Sequence, residues 1–267
     1  MRLADVRGLV EEGRGLGFAV RGEASVGHAG PVVVSGMLAE QLAKELGAGA
    51  APGAVMVGSA APMSHASVHV HVIAGDPTPE DEALVRSAAD AHVEVVLVEL
   101  WPQADWTPPF VLSPYVVECR AGEGFPIEEI ARRIVEATEN ATELASRVPV
   151  LAAATRSALV KQAVVRAALT GFLGSRLGSS RPQLVREQAL TLARLRTVSA
   201  GTRVSDETPV LAGGAVGAVV AGLVLREVAR RARGVVPAPL AQAAIAAAGT
   251  WAIAKAFDAV ESRLPST

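Results

Sequence analysis

Three closely spaced histidines have more chemistry in their arrangement than any other residues in this chain. His69 and His71 stand two apart in SVHVHVIA, with His65 just ahead of them. Residues two apart on a strand share a face, so His69 and His71 project side by side, a geometry that binds zinc-like metals when one or two further ligands join. No Cys, Asp or Glu beside them in sequence completes such a set, and His28 or Asp76 would have to be brought in by the fold. The alternative is a polar sheet face under a helix. No metal is expected, and His65, His69 and His71 are the set that would hold one. Downstream, Asp76, Asp81 and Glu82 in DPTPEDE resemble an acidic site, yet Thr78-Pro79-Glu80-Asp81 is also what a helix start requires by itself. Ser35 has no His and Asp suitably placed in sequence to activate it, so no catalytic residue is expected. Trp101, Trp106, Pro108, Pro109 and Phe110 form an apolar loop that either covers a ligand pocket, binds a partner or packs into the core.

The elements that must carry these residues alternate in type. PVVVSG (Pro31–Gly36), a weaker run over Ala54–Ala60, SVHVHVIA (Ser67–Ala74), HVEVVLVEL (His92–Leu100) and Tyr115–Glu118 read as strands. Between and after them, Met37–Leu46, Pro79–Ala91 and Pro126–Leu144 read as helices, the second opened by Thr78 as cap and Pro79 in its first turn. The expected fold is therefore α/β, a mostly parallel doubly wound sheet, followed by an all-α half. The expected division is an N-terminal segment 1–25, an α/β domain 26–147, and an Ala/Gly-rich helical domain 148–267. In the last of these, Ala152–Phe172 and Gln183–Val198 are the first helices.

With 267 residues the chain can bury two ordinary cores without metal or disulfide staples, and its single cysteine, Cys119, fits a reducing compartment. The balance of 25 basic against 27 acidic residues leaves a net charge of −2, which argues against a general nucleic-acid binder. Half of the residues are hydrophobic but only 3% are aromatic. The mean hydropathy of +0.34 points to membrane contact or deeply buried helices. Met1–Arg21 mixes charges with glycine and shows no secretory signal, so the N-terminal half is expected in the cytoplasm.

Parallel sheets take their ligands beyond the carboxyl ends of the strands. A phosphate loop of the form GxxxxGK[ST] would cradle phosphates with backbone amides, a lysine and a magnesium-binding hydroxyl. Here PVVVSG runs directly into Met37-Leu38-Ala39-Glu40, without a glycine-rich arc or lysine, and Lys44 lies about two turns into the helix. The order of pieces nevertheless resembles the GTPase domain of the Era-like and translation-factor class of P-loop proteins. VHVHVIAGDPTPEDEALVRSAADAHVEVVLVEL resembles that family's central strand, helix and next strand. VVECRAGEGFPIEEIARRI resembles its last strand, guanine loop and final helix, from Cys119-Arg120-Ala121-Gly122-Glu123-Gly124 to Ile127 and Ile130. The likeness runs from about Pro31 to Ala141. It departs from the family at every nucleotide-contacting motif. Glu99-Leu100-Trp101-Pro102-Gln103 stands where Asn-Lys-x-Asp would read guanine, and the switch region is shortened between Ala48 and Ala66. What the resemblance implies is a degenerate domain. Ser35 and Gly36 are the remnant of its phosphate loop, Gly122 and Gly124 the remnant of its guanine loop, and no cofactor is expected.

In the helical half, residues 208–225 and 234–254 are long apolar stretches separated by the basic Arg226–Arg233. A basic connector between apolar helices fits a membrane hairpin with its turn in the cytoplasm, and Gly213 and Gly217 would let helices approach closely. Pro237 and Pro239, the modest lipid preference of Ala and Gly, and the extra crossing this topology demands leave two other readings open: attachment to the inner face of the cell membrane, and a soluble bundle. This half resembles the helical domain of unknown function that follows GTPase domains in a group of bacterial membrane-associated proteins. The likeness is carried by Gln188, Leu192, Gly213–Gly217, Val236-Pro237, Ala247, Gly249-Thr250 and Ile253. The expectation is a non-catalytic, GTPase-like binding or scaffolding protein, with a protein partner or self-association through the helical half. The alternative is a divergent GTP or ATP hydrolase with a non-standard phosphate loop.

Overall fold

The computed structural model describes residues 29–58, 64–102, 114–177, 188, 190–192, 194–198 and 238–261. The expectations for 1–25, His28, Trp106, Pro108–Phe110, 208–225, the connector 226–233 and the start of 234–254 lie outside the described residues.

Five strands form one all-parallel sheet: β1 (Val32–Gly36), β2 (Val55–Val57), β3 (Val68–Ala74), β4 (Val95–Leu100) and β5 (Tyr115–Cys119), in the order β2-β1-β3-β4-β5. The fold is α/β, compatible with a doubly wound sheet. The Val-rich runs explain the layering, because every residue of β4 and all but the last of β3 are buried, which requires cover on both faces. On one face, Ile73, Val95 and Leu97 pack with Val85 and Ala88 of helix α2 (Pro79–Asp90). Helices α1 (Ala39–Leu46) and α3 (Ile127–Ala137), which touch one another, form the second layer, with Leu42, Leu46, Ile130 and Ile134 fully buried. From β1 the chain crosses first to one side, into β2, and then to the other, into β3. The carboxyl ends of β1 and β3 therefore flank the switch point where such sheets bind ligands.

The expected helix Pro126–Leu144 is two helices, α3 and α4 (Ala141–Arg147). Thr138 breaks it: its backbone is extended and its hydroxyl donates to the Ile134 carbonyl at 2.7 Å, so the side chain takes over the last turn. His92 is not in a strand but in the turn that ends α2, at φ +56°. A one-turn 3₁₀ segment (Pro149–Leu151) and α5 (Ala152–Leu177) follow, with Val148 and Leu151 fully buried.

Contacts divide the chain into two compact units, and the sheet unit runs through Ala158, inside α5. In the second unit α5 meets α6 (Ala238–Glu261) at Gly171, where a Cβ would stand 2.7 Å from the Gln242 carbonyl oxygen and 3.0 Å from the Ala246 Cβ. Leu195, Ala254 and Phe257 form a small core with Leu159, Val160 and Leu192, and Gln188 donates to the Thr250 hydroxyl at 3.3 Å. Within α6, Pro239–Phe257 is long and apolar enough to cross a membrane by length and composition, and a third of it is buried.

Candidate functional site

The turn at the end of β1 is tight. Gly36 has φ +89°, and a Cβ there would lie 2.1 Å from the Val72 carbonyl oxygen, so only glycine lets β1 pass so close to β3. Met37 N donates to that same oxygen at 3.1 Å. Only Met37 and Leu38 separate β1 from α1, and both side chains are exposed. Leu38 takes the left-handed conformation at φ 54° as N-cap and makes no side-chain cap bond. A loop of two apolar residues has no arc of amides with which to surround a phosphate. Glu40 adds negative charge to the first turn of α1. At the turn expected from the resemblance to be a guanine loop, Gly122 has φ +82° and is exposed after β5, and the Gly124 carbonyl accepts from the buried Cys119 thiol at 3.5 Å. Burial, with Glu123 and Glu45 nearby, raises the pKa of that thiol.

Beneath the switch point the register pairs Val33 with His69 and Ser35 with His71, so Ser35 and both histidines share the face covered by α2. Ser35 Oγ lies 2.7 Å from His69 Nε2 and 2.7 Å from His71 Nδ1, and His71 Nε2 lies 2.6 Å from Asp81 Oδ1. The sequence reading found no His and Asp suited to Ser35. The structure corrects this, because strand pairing brings residues 34 and 36 positions apart into contact. Asp81 also serves the helix start: its carboxylate accepts from Thr78 N at 2.7 Å and the Thr78 hydroxyl accepts from Asp81 N at 3.3 Å, completing the capping box. Those bonds and His71 hold the Asp81 carboxyl below its ordinary range against the opposing effect of burial.

The proton positions follow from the donors available. A carboxylate only accepts, so His71 Nε2 carries its proton toward Asp81. Ser35 then donates to His71 Nδ1, and His69 Nε2–H donates to Ser35. This leaves the buried His69 Nδ1 as an unpartnered acceptor. The reverse direction would leave an unpartnered N–H there, which is costlier. Burial, and His71 beside it, lowers the His69 pKa to about 4, in accord with a neutral ring.

The line Ser35–His71–Asp81 has the composition of a nucleophilic triad but the opposite depth order. A triad needs its serine at the cleft and its carboxylate behind. Here Ser35 is 2% exposed while the Asp81 side chain is 17% exposed. The hydroxyl is enclosed and both its donor and acceptor roles are taken, so the arrangement ties β1, β3 and α2 together rather than presenting a nucleophile.

His65 is not part of it; it is exposed ahead of β3, and among the described residues no three His, Cys, Asp or Glu side chains gather as a metal requires. Asp76 is exposed in the loop before α2. Glu99, which the sequence places near the end of the strand His92–Leu100 and where the resembled family carries Asn-Lys-x-Asp, is the fifth residue of β4, 6% exposed, with Oε1 lacking a hydrogen-bond partner. Burial, with Glu118 beside it in register, raises its pKa to about 7. An acidic residue inside a run otherwise apolar was the available signal. Compared with models of known protein families, with curated proteins and with solved structures, the chain matches none.

Proposed function

We propose that this chain is a non-catalytic, GTPase-like binding or scaffolding protein: a nucleotide-type sheet whose switch point serves as structure instead of as a phosphate site. The observation that carries the reading is the two-residue connection Met37-Leu38 after Gly36, which has neither the length nor the cations to hold phosphate. The buried Ser35–His69–His71–Asp81 network supports it, since the polar groups below the switch point are engaged with one another. The helical unit supplies attachment to a protein partner, to a second copy, or to the inner face of the cell membrane. The apolar stretch Pro239–Phe257 supports the last of these. Titration calorimetry with GTP and with ATP, each with magnesium, tests the reading. No heat of binding is expected, and micromolar affinity for either nucleotide sinks it.

A further inference from the structure

The exposed large apolar side chains of the sheet unit are not scattered. Among the described residues they are Met37, Leu38, Met56, Val57 and Trp101; Met56 lies in the middle of β2, at the side of the sheet, and the other four stand at or just beyond the carboxyl ends of β1, β2 and β4. Single exposed hydrophobics are ordinary, but four of these five gathered at one end of one sheet are not. Two of them are held out by uncommon backbone: Leu38 and Trp101 both have φ 54°, a region that bulky residues seldom occupy. Between them, beyond β3, the chain turns at Gly75, around whose α-carbon there is open space. The ends of β1 and β4 are two strand spacings apart, ~10 Å, close to the diameter of an α-helix. The exposed carboxylates of Glu40, Asp76 and Glu80 lie on the first turns and loop of this same edge, opposed by Arg120.

From this we infer that the carboxyl edge of the sheet is a docking surface for a basic amphipathic helix of a partner protein. The partner lays its apolar stripe over Leu38, Gly75 and Trp101 and its Lys or Arg residues against Glu40, Asp76 and Glu80. Helix-in-groove recognition uses apolar anchors for affinity and charge for register. The inference rests on the non-catalytic reading above and names the partner chemistry for it.

The test uses the full chain and a synthetic Leu/Lys amphipathic peptide of about five helical turns. Its affinity is followed by calorimetry beside the GTP–magnesium titration. Micromolar binding is expected, weakened at least ~10-fold by Leu38→Ser with Trp101→Ser and separately by Glu40→Lys with Glu80→Lys, and absent for the Leu/Glu version of the peptide. Circular dichroism shows whether each variant is folded, and the charge reversals carry the test if the apolar pair is not. Absence of binding, equal binding of the acidic peptide, or binding unchanged in both variants overturns the inference. So does binding to phosphatidylglycerol vesicles that is lost in the Leu38/Trp101 variant, which would assign the edge to lipid. Nucleotide binding, in contrast, removes the underlying reading whatever the peptide does.

Discussion

His71 Nε2 lies 2.6 Å from the Asp81 carboxylate, which fastens the middle of β3 to the first turn of α2. The same carboxylate caps that turn, so one side chain closes the helix start and orients the ring that accepts from Ser35. The sheet and the helix above it are thereby coupled through a short polar chain.

That coupling makes Ser35 a stability residue. Ser35→Ala leaves His71 Nδ1 and His69 Nε2–H without partners in a buried site, and a loss of about 2–4 kcal/mol is expected in urea unfolding. A change smaller than ~0.5 kcal/mol, the range of ordinary surface substitutions, would show that the network is not holding the strands.

The two buried titrating groups give opposite pH slopes. His69 has its folded pKa lowered from 6.5 to about 4, so between these values the unfolded state binds the extra proton and stability falls as pH falls. The full effect is on the order of 3 kcal/mol. Glu99 has its folded pKa raised from 4.5 to about 7, so the folded state keeps a proton the unfolded state loses, and stability falls as pH rises through that window. Between pH 4.5 and 6.5 the slopes oppose, and the wild-type profile is expected to be nearly flat. Glu99→Gln should convert it to a profile that rises with pH up to 6.5, and His69→Gln to one that falls. Denaturant midpoints across this range decide it; parallel profiles for all three proteins would refute the assignment.

Gly36 and Gly75 both have positive φ but differ in surroundings. At Gly36 a Cβ meets the Val72 carbonyl oxygen at 2.1 Å, whereas at Gly75 nothing lies within 4 Å. Gly75→Ala is therefore expected to cost only the left-handed conformation, about 1–2 kcal/mol. Gly36→Ala adds a backbone clash between β1 and β3 and should cost at least about 3 kcal/mol. Thermal unfolding of the two variants side by side checks the difference, and equal losses would contradict it.

In the helical unit, Gly171 sets how closely α5 approaches α6. A leucine there must displace the Gln242 backbone, and a loss of about 2–3 kcal/mol is expected for Gly171→Leu. Far-UV circular dichroism on heating measures it. An unchanged transition would mean that the two helices do not depend on this contact.

Much of the scaffold was legible in the sequence because its signals are local. Runs such as PVVVSG and VVLVEL, alternating with helical segments, fit a parallel sheet with helices on either side, and Thr78-Pro79-Glu80-Asp81 carries its own cap chemistry. That no GxxxxGK[ST] follows PVVVSG was equally plain, although the two-residue connection Met37-Leu38 came from the structure, since the sequence placed the helix start at Met37. What escaped was set by pairing. The end of the helix at Thr138 depends on a side-chain bond to Ile134, and the burial of Glu99 on its neighbours in the sheet. Ser35 meets His69 and His71 only because β1 and β3 are adjacent at the switch point in one particular register, and Asp81 reaches His71 only because α2 returns over that face. The sequence by itself determined most of the element types and the absence of a GxxxxGK[ST] motif, because both follow from residues close together along the chain. Only the tertiary structure decided which polar side chains share a buried site, and at what depth. That is fixed by hydrogen bonds from Ser35 to residues 34 and 36 positions away and by the return of α2 over the same face, neither of which leaves a periodicity to read.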